Sequence, residues 1–217
     1  MFNPSGDIWF SEGFLVAPPS TPVSQSFAPA SGGQLVEFVP ASLSGSPTSH
    51  GADVAEIGVG PNSANPCFRF DFLGASLGCA AQGNEKWCEF DISAYTFNEG
   101  SFSEQSIAWS ETKRVPACPT FPSSSCALTP VEFEGYRNIT SVLISLHVGL
   151  DLRAWWGDDF KFGWSDNSCE AASCRGRALP HRVKREAVET AIRHGVWHWT
   201  PAGLQRLDDE YIWESAS

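Results

Sequence analysis

The sequence holds one methionine and only 14 lysines and arginines in 217 residues, and charged residues make up 18% of it. Helical bundles and coiled coils are rich in Ala, Glu, Lys and Leu, and this composition argues against both. A net charge of −11 argues against nucleic acid and anionic membrane surfaces as partners, because phosphate binding rests on neutralisation by Lys and Arg. Long apolar runs are lacking too. The most apolar stretch, Val142 to Leu150, falls short of the ~20 residues that span a bilayer. No C-x2-C pair occurs, which speaks against zinc. The start, Met1-Phe2-Asn3-Pro4, has no basic residue, apolar stretch or small-residue cleavage site, so it is not a signal peptide.

What is present is aromatic, turn-forming and cysteine-rich: nine Trp, 15 Phe, 19 Gly, 15 Pro and seven Cys. One all-β domain fills such a length. Residues 53–59, 67–73, 87–97, 107–115, 140–148 and 152–164 are rich in β-branched and aromatic residues, with Pro, Gly, Asn and Ser between them, and read as strands. Phe68, Phe70 and Phe72 alternate with Arg69 and Asp71, as do Val142, Ile144, Leu146 and Val148 with Leu143, Ser145 and His147. That period of two buries one face. The predicted fold is an all-β antiparallel sandwich of jelly-roll type, with a short α-helical extension at the C-terminus.

Charge divides the chain. Residues 1–174 carry 7 basic and 19 acidic residues, and residues 175–217 carry 7 and 6. The reading is a β-sandwich over 1–174, a basic linker over 175–185 and a helical, Trp-rich tail over 186–217. Val183, Ala187, Val188, Ala191 and Ile192 recur at helical spacing, Gly195 reads as a stop, and Thr200-Pro201 as the start of a second short helix. Trp197, Trp199, Tyr211 and Trp213 either dock this tail on the sandwich or face a partner. Lys184-Arg185 has the form of a dibasic processing site, whose cleavage would release the tail.

The cysteines suggest local staples at Cys79–Cys88, Cys118–Cys126 and Cys169–Cys174. Cys67 either pairs with Cys169, leaving Cys174 free, or stays free beside a Cys169–Cys174 staple. Asn138-Ile-Thr140 is a glycosylation sequon. Both features point to an oxidising secretory compartment, so the expectation is a secreted protein whose signal peptide is absent from this chain through truncation or as part of a larger precursor.

Several motifs suggest chemistry. Gly74-Ala-Ser76-Leu-Gly78 matches the G-x-S-x-G nucleophile elbow, which needs a helix after the Ser. Cys79, Gly83 and Trp87-Cys88 follow instead, so it reads as a bend between strands. Asp158 and Asp159, with Glu12, are candidate oxygen ligands for a structural calcium ion. His194 and His198 have helical metal-ligand spacing, but Gly195 stands where H-E-x-x-H needs Glu. Trp109, Trp155, Trp156 and Trp164 are the candidate ligand-binding surface, since sugar rings stack on exposed aromatic faces. Trp155 and Trp156 are neighbours in a strand, so one faces the core and the other faces outward.

Three runs, IWFSEGFLVAPPS (Ile8–Ser20), AEIGVGPNSANPCFRFDF (Ala55–Phe72) and GDDFKFGWSDNSC (Gly157–Cys169), resemble a domain of unknown function found in secreted proteins of filamentous fungi. The resemblance covers about residues 2–174. It implies an extracellular fungal β-sandwich, with a first strand missing before Phe2, and supplies no catalytic residues. Phe70–Leu77 and Asp158–Phe160 more loosely resemble strands of carbohydrate-binding jelly rolls. Glu89-Phe-Asp91-Ile92 is similar to the first half of the catalytic strand of laminarinase-like β-glucanases. Retaining hydrolysis needs two carboxyl groups, and Ser93 and Ala94 stand where the second Glu would be. The expected function is therefore a secreted, non-catalytic module that binds a polysaccharide or another cell-wall ligand. The alternatives are a glycosidase or esterase on the same scaffold, and a structural or effector-like protein with a processed tail.

Overall fold

A computed structural model describes residues 6–17, 27–44, 53–80, 84–97, 105–119, 126–148, 151–178, 197–200 and 203–206. The alternating segments become two sheets. One holds β1 (Trp9–Phe10), β4 (Ala55–Gly58), β9 (Ser141–Val148), β6 (Trp87–Phe97) and β7 (Gln105–Pro116) in that spatial order, with β10 (Asp151–Leu152) paired to β9. The other runs β2 (Phe14–Val16), β3 (Val36–Phe38), β11 (Trp155–Trp164), β5 (Phe70–Gly78) and β8 (Thr129–Glu132). Every pairing between these strands is antiparallel. The inner faces meet in one core that takes Phe70, Phe72 and Leu77 from β5, Phe90 and Ile92 from β6, Val142, Ile144 and Leu146 from β9, and Trp155 from β11. The architecture is an all-β sandwich.

Gly74 to Gly78 do not form the bend expected of them. They continue β5, paired on one side with β11 and on the other with β8. Ser76 is buried in mid-strand, a position that offers no nucleophile elbow. A second, smaller cluster lies outside the main core, formed by Ala17, Phe27, Leu35, Cys118, Leu128 and Trp156. Gly78 makes room for it. A Cβ there would lie 2.7 Å from the Phe27 ring and 2.6 Å from Leu128. Gly78 is opposite Trp156 in the β5–β11 register, so its bare Cα opens a slot in which Phe27 stacks on Trp156, with centroids 5.0 Å apart.

The C-terminal part departs furthest from expectation. Helix α2 (Cys169–Ala178) follows the last sandwich strand directly; a single turn, α1 (Ala41–Ser44), lies earlier in the chain. The Ser168 hydroxyl accepts a hydrogen bond from the Ala171 N–H, a capping contact that starts the helix. Glu170 lies in its first turn and Arg175 and Arg177 in its last, the order the helix dipole favours. The sandwich therefore does not give way to a linker at residue 175. Arg175 is buried, donates from Nη1 to the carbonyls of Cys67 and Asp166, and stacks 4.6 Å over the Trp164 ring. Residues 197–200 and 203–206 pair as the hairpin β12–β13, where Thr200-Pro201 had suggested a helix start and His198 a helical ligand. The run Trp197-His-Trp199-Thr200 is aromatic and β-branched, which suits a strand. Lys184, Arg185, His194 and Trp213 lie outside the described residues. No helix among those described is long and apolar enough to cross a membrane.

The disulfides are Cys67–Cys174, Cys79–Cys88 and Cys118–Cys126, and Cys169 is free and exposed. Both expected partnerships of Cys169 are corrected. Five residues along an α-helix turn the chain about 140° beyond a full rotation and raise it about 7.5 Å. Cys169 and Cys174 thus point to nearly opposite sides, too far apart for a bridge. Cys174 faces the sandwich and meets Cys67; Cys169 faces solvent.

Candidate functional site

The four tryptophans proposed as a ligand surface do not come together. Trp155 is fully buried, edge-on to Phe14 and Phe90. Trp156 does point to the opposite side of its strand, but that side carries the second cluster, and only 6% of it is exposed. Both are corrected from ligand platforms to core. Trp164 is half-buried between Phe68, which it meets edge-on, and the Arg175 guanidinium over its ring. Trp109 alone of the four is open, at 45% exposure.

Trp109 sits on β7, opposite the core residue Ala94 of β6, so its side chain leaves the sheet on the inner side, at the flank of the sandwich. Gly135 explains how the ring is held. Its φ is +92°, a conformation glycine adopts without a steric penalty. A Cβ at that position would lie 2.9 Å from Cδ2, 3.0 Å from Cε2 and 3.3 Å from Cε3 of Trp109. The six-membered ring of the indole therefore rests on bare backbone while 45% of the residue stays in solvent. A ring fixed in this way loses little conformational freedom when a ligand stacks on it.

Alternation along β7 puts Glu111 and Lys113 on the same side as Trp109. Lys113 Nζ lies 2.9 Å from Glu111 Oε2 and 6.0 Å from the centre of the Phe133 ring. Behind them the buried Tyr136 hydroxyl donates to the carbonyl of Ile92 at 3.1 Å. Burial first, and then the charge of and hydrogen bonding with Glu111, push this phenol above its ordinary pKa of 10.0, so it stays neutral. One flank thus offers an aromatic plane, a carboxylate and an ammonium in a row along one strand. Sequence reasoning named Trp109 but missed Glu111, Lys113 and Gly135. The i, i+2 spacing of Trp109, Glu111 and Lys113 was readable; the approach of Gly135 to the ring was not. Trp87, at the start of β6, is 56% exposed and Ile107 63%, and neither was singled out.

The other candidates have structural partners. Asp158 Oδ2 accepts from the backbone N–H groups of Ala30, at 2.8 Å, and Ser31, at 3.0 Å, and Oδ1 from that of Asp159. The Ser31 hydroxyl donates to Asp159 Oδ1. These carboxylates pin the 28–33 segment to β11. Among the described residues no group of three acidic, His or Cys side chains could hold a metal ion, so Asp158, Asp159 and Glu12 do not assemble the calcium shell expected of them. Glu89 pairs with Arg114 at 2.6 Å, and Asp91 accepts from the Thr112 hydroxyl at 2.6 Å. Asn138 is exposed with φ +54°, and its N–H donates to Asp71.

A model of a family described as a domain of unknown function, DUF7371, matches residues 1–175. The chain belongs to the DUF7371 family. The match ends at Arg175, inside α2, and so takes in Cys174 and both ends of the Cys67–Cys174 bridge. No curated protein and no solved structure matches the chain.

Proposed function

We propose that this DUF7371 protein is a secreted, non-catalytic module that binds a polysaccharide or other glycan of the fungal wall or matrix, with Trp109 as its stacking platform. The observation that carries the reading is the Trp109 ring held flat on Gly135 with 45% of the residue open. Sugar rings present axial C–H groups to such a face, and the Glu111 carboxylate and Lys113 ammonium beside it accept from and donate to hydroxyls. Three disulfides suit an oxidising compartment, and Asn138 is an exposed acceptor for N-glycosylation. A non-catalytic role is supported by the pairing of Glu89 with Arg114 and by the place of Ser76 inside a strand.

Retention on insoluble wall polysaccharides, followed by titration with soluble oligosaccharides, tests the reading. Wild-type protein is expected to be retained on at least one polymer, and Trp109→Ala to weaken binding about 5- to 150-fold, the 1–3 kcal/mol scale of one stacked ring. Equal retention of the two proteins would refute the platform.

A further inference from the structure

We infer that β7 is an interface at which a second copy of this chain adds its own β7, antiparallel, to form one sheet across two molecules. This goes beyond the glycan reading and does not depend on it. An edge strand presents unpaired N–H and C=O groups, and proteins blunt such edges with short strands, proline or charge. β1 and β10 have two residues each, β2 has three, and β8 has four with Pro130 among them. β7 runs for 12 residues with proline only at its last position; a bulge lies between Ile107 and Trp109, and beyond it residues 109–116 run regularly and carry Glu111, Lys113 and Arg114. Among the described residues no strand pairs with its outer side. Residues 106–110 are all exposed, including Ile107 and Trp109.

The charges on β7 select the occupant. A two-fold axis normal to the sheet keeps both inner faces on the same side, so only residues of equal parity stand opposite each other. Centring the axis on Glu111 or Lys113 sets like charges face to face. Centring it on Trp109 or Ser110 leaves Glu111 opposite Ile107 or Trp109. Centring it on Thr112 places Glu111 of each copy against Lys113 of the other, and Trp109 against Val115. In that register the strand is complementary to itself in charge. The two Trp109 rings then lie six positions apart, about 20 Å, on the same side of the joined sheet. The pair would present two platforms in one direction and gain avidity on a repeating ligand.

Sedimentation velocity over a range of concentrations tests this, with the full chain carrying Cys169→Ser so that no covalent dimer is counted. The reference protein is expected to be a dimer in concentrated solution. Glu111→Lys and Lys113→Glu, each alone, should raise the dimer dissociation constant at least tenfold, and the two together should restore it. Ser110→Arg, on an exposed residue that faces Arg114 of the other copy in this register, should also give a monomer, and its Tm, read at a dilution where both proteins are monomeric, should match the reference, which separates loss of the interface from misfolding. A monomer at every concentration, or a dimer that survives all three single substitutions, would overturn the proposal.

Discussion

Replacing Cys67 and Cys174 together by Ser is expected to cost this domain more than the loss of either other disulfide. A cross-link stabilises chiefly by limiting the unfolded chain, and the effect grows with the logarithm of the loop it closes. Cys67–Cys174 closes a separation of 107 residues, against 9 for Cys79–Cys88 and 8 for Cys118–Cys126. The loop-entropy relation gives about 4.8 kcal/mol for the first and about 2.5 kcal/mol for each of the others at 25 °C. For a chain of this size, 4.8 kcal/mol lowers Tm by roughly 10–20 °C. The double substitution avoids leaving an unpaired thiol against the core. Cys169→Ser should be silent, because Cys169 is exposed and unbridged. Urea unfolding measures the differences, with the midpoint and slope read separately. If Cys169→Ser is costly while Cys67→Ser with Cys174→Ser is not, the helix faces are assigned the wrong way round and the bridge runs to Cys169.

Two further outcomes follow from single residues. Gly135→Ala should destabilise by about 1–3 kcal/mol, since it places a Cβ at φ +92° and 2.9 Å from the Trp109 ring; it should also reduce glycan retention as Trp109→Ala does, and retention at the wild-type level would show that the ring does not need its seat. Burial alone would raise the pKa of Asp71, but hydrogen bonds from the Ser165 hydroxyl, Arg137 and the Asn138 N–H, with the charge of Arg137, hold it below its ordinary 3.8. A carboxyl lowered in the folded state adds stability above its unfolded pKa and loses it as pH falls through the folded value, so Asp71→Asn should be less stable than wild type at pH 6 and close to it near pH 2; a gap of equal size at both pH values would refute this role.

The strand segments were legible because a half-buried strand writes its burial into the chain with a period of two. Phe68, Phe70 and Phe72 are all buried, and so are Val142, Ile144 and Leu146. The same rule misjudged Trp156. Alternation correctly sends it to the opposite side of β11 from Trp155, but cannot say that Phe27, more than a hundred residues earlier, covers that side. Arg175 misled through composition. In a run of basic residues it reads as solvated linker, yet two carbonyls and an indole ring take up its guanidinium. Asp158 and Asp159 have the side chains of calcium ligands, and the 28–33 segment meets them with N–H and O–H donors instead.

Class, oxidising chemistry and the sandwich architecture are local information, carried by the spacing of apolar residues and the content of Cys, Gly and Trp. Which tryptophan is open, which cysteine is free and where the domain ends are matters of long-range contact. Cys67 meets Cys174 across 107 residues, and a helix turn sets Cys169 on the far side. The Trp109 ring is seated and open because Gly135, from the segment after β8, lies beneath it. These outcomes depend on which segments meet after folding, and a one-dimensional pattern does not encode that meeting in any single window.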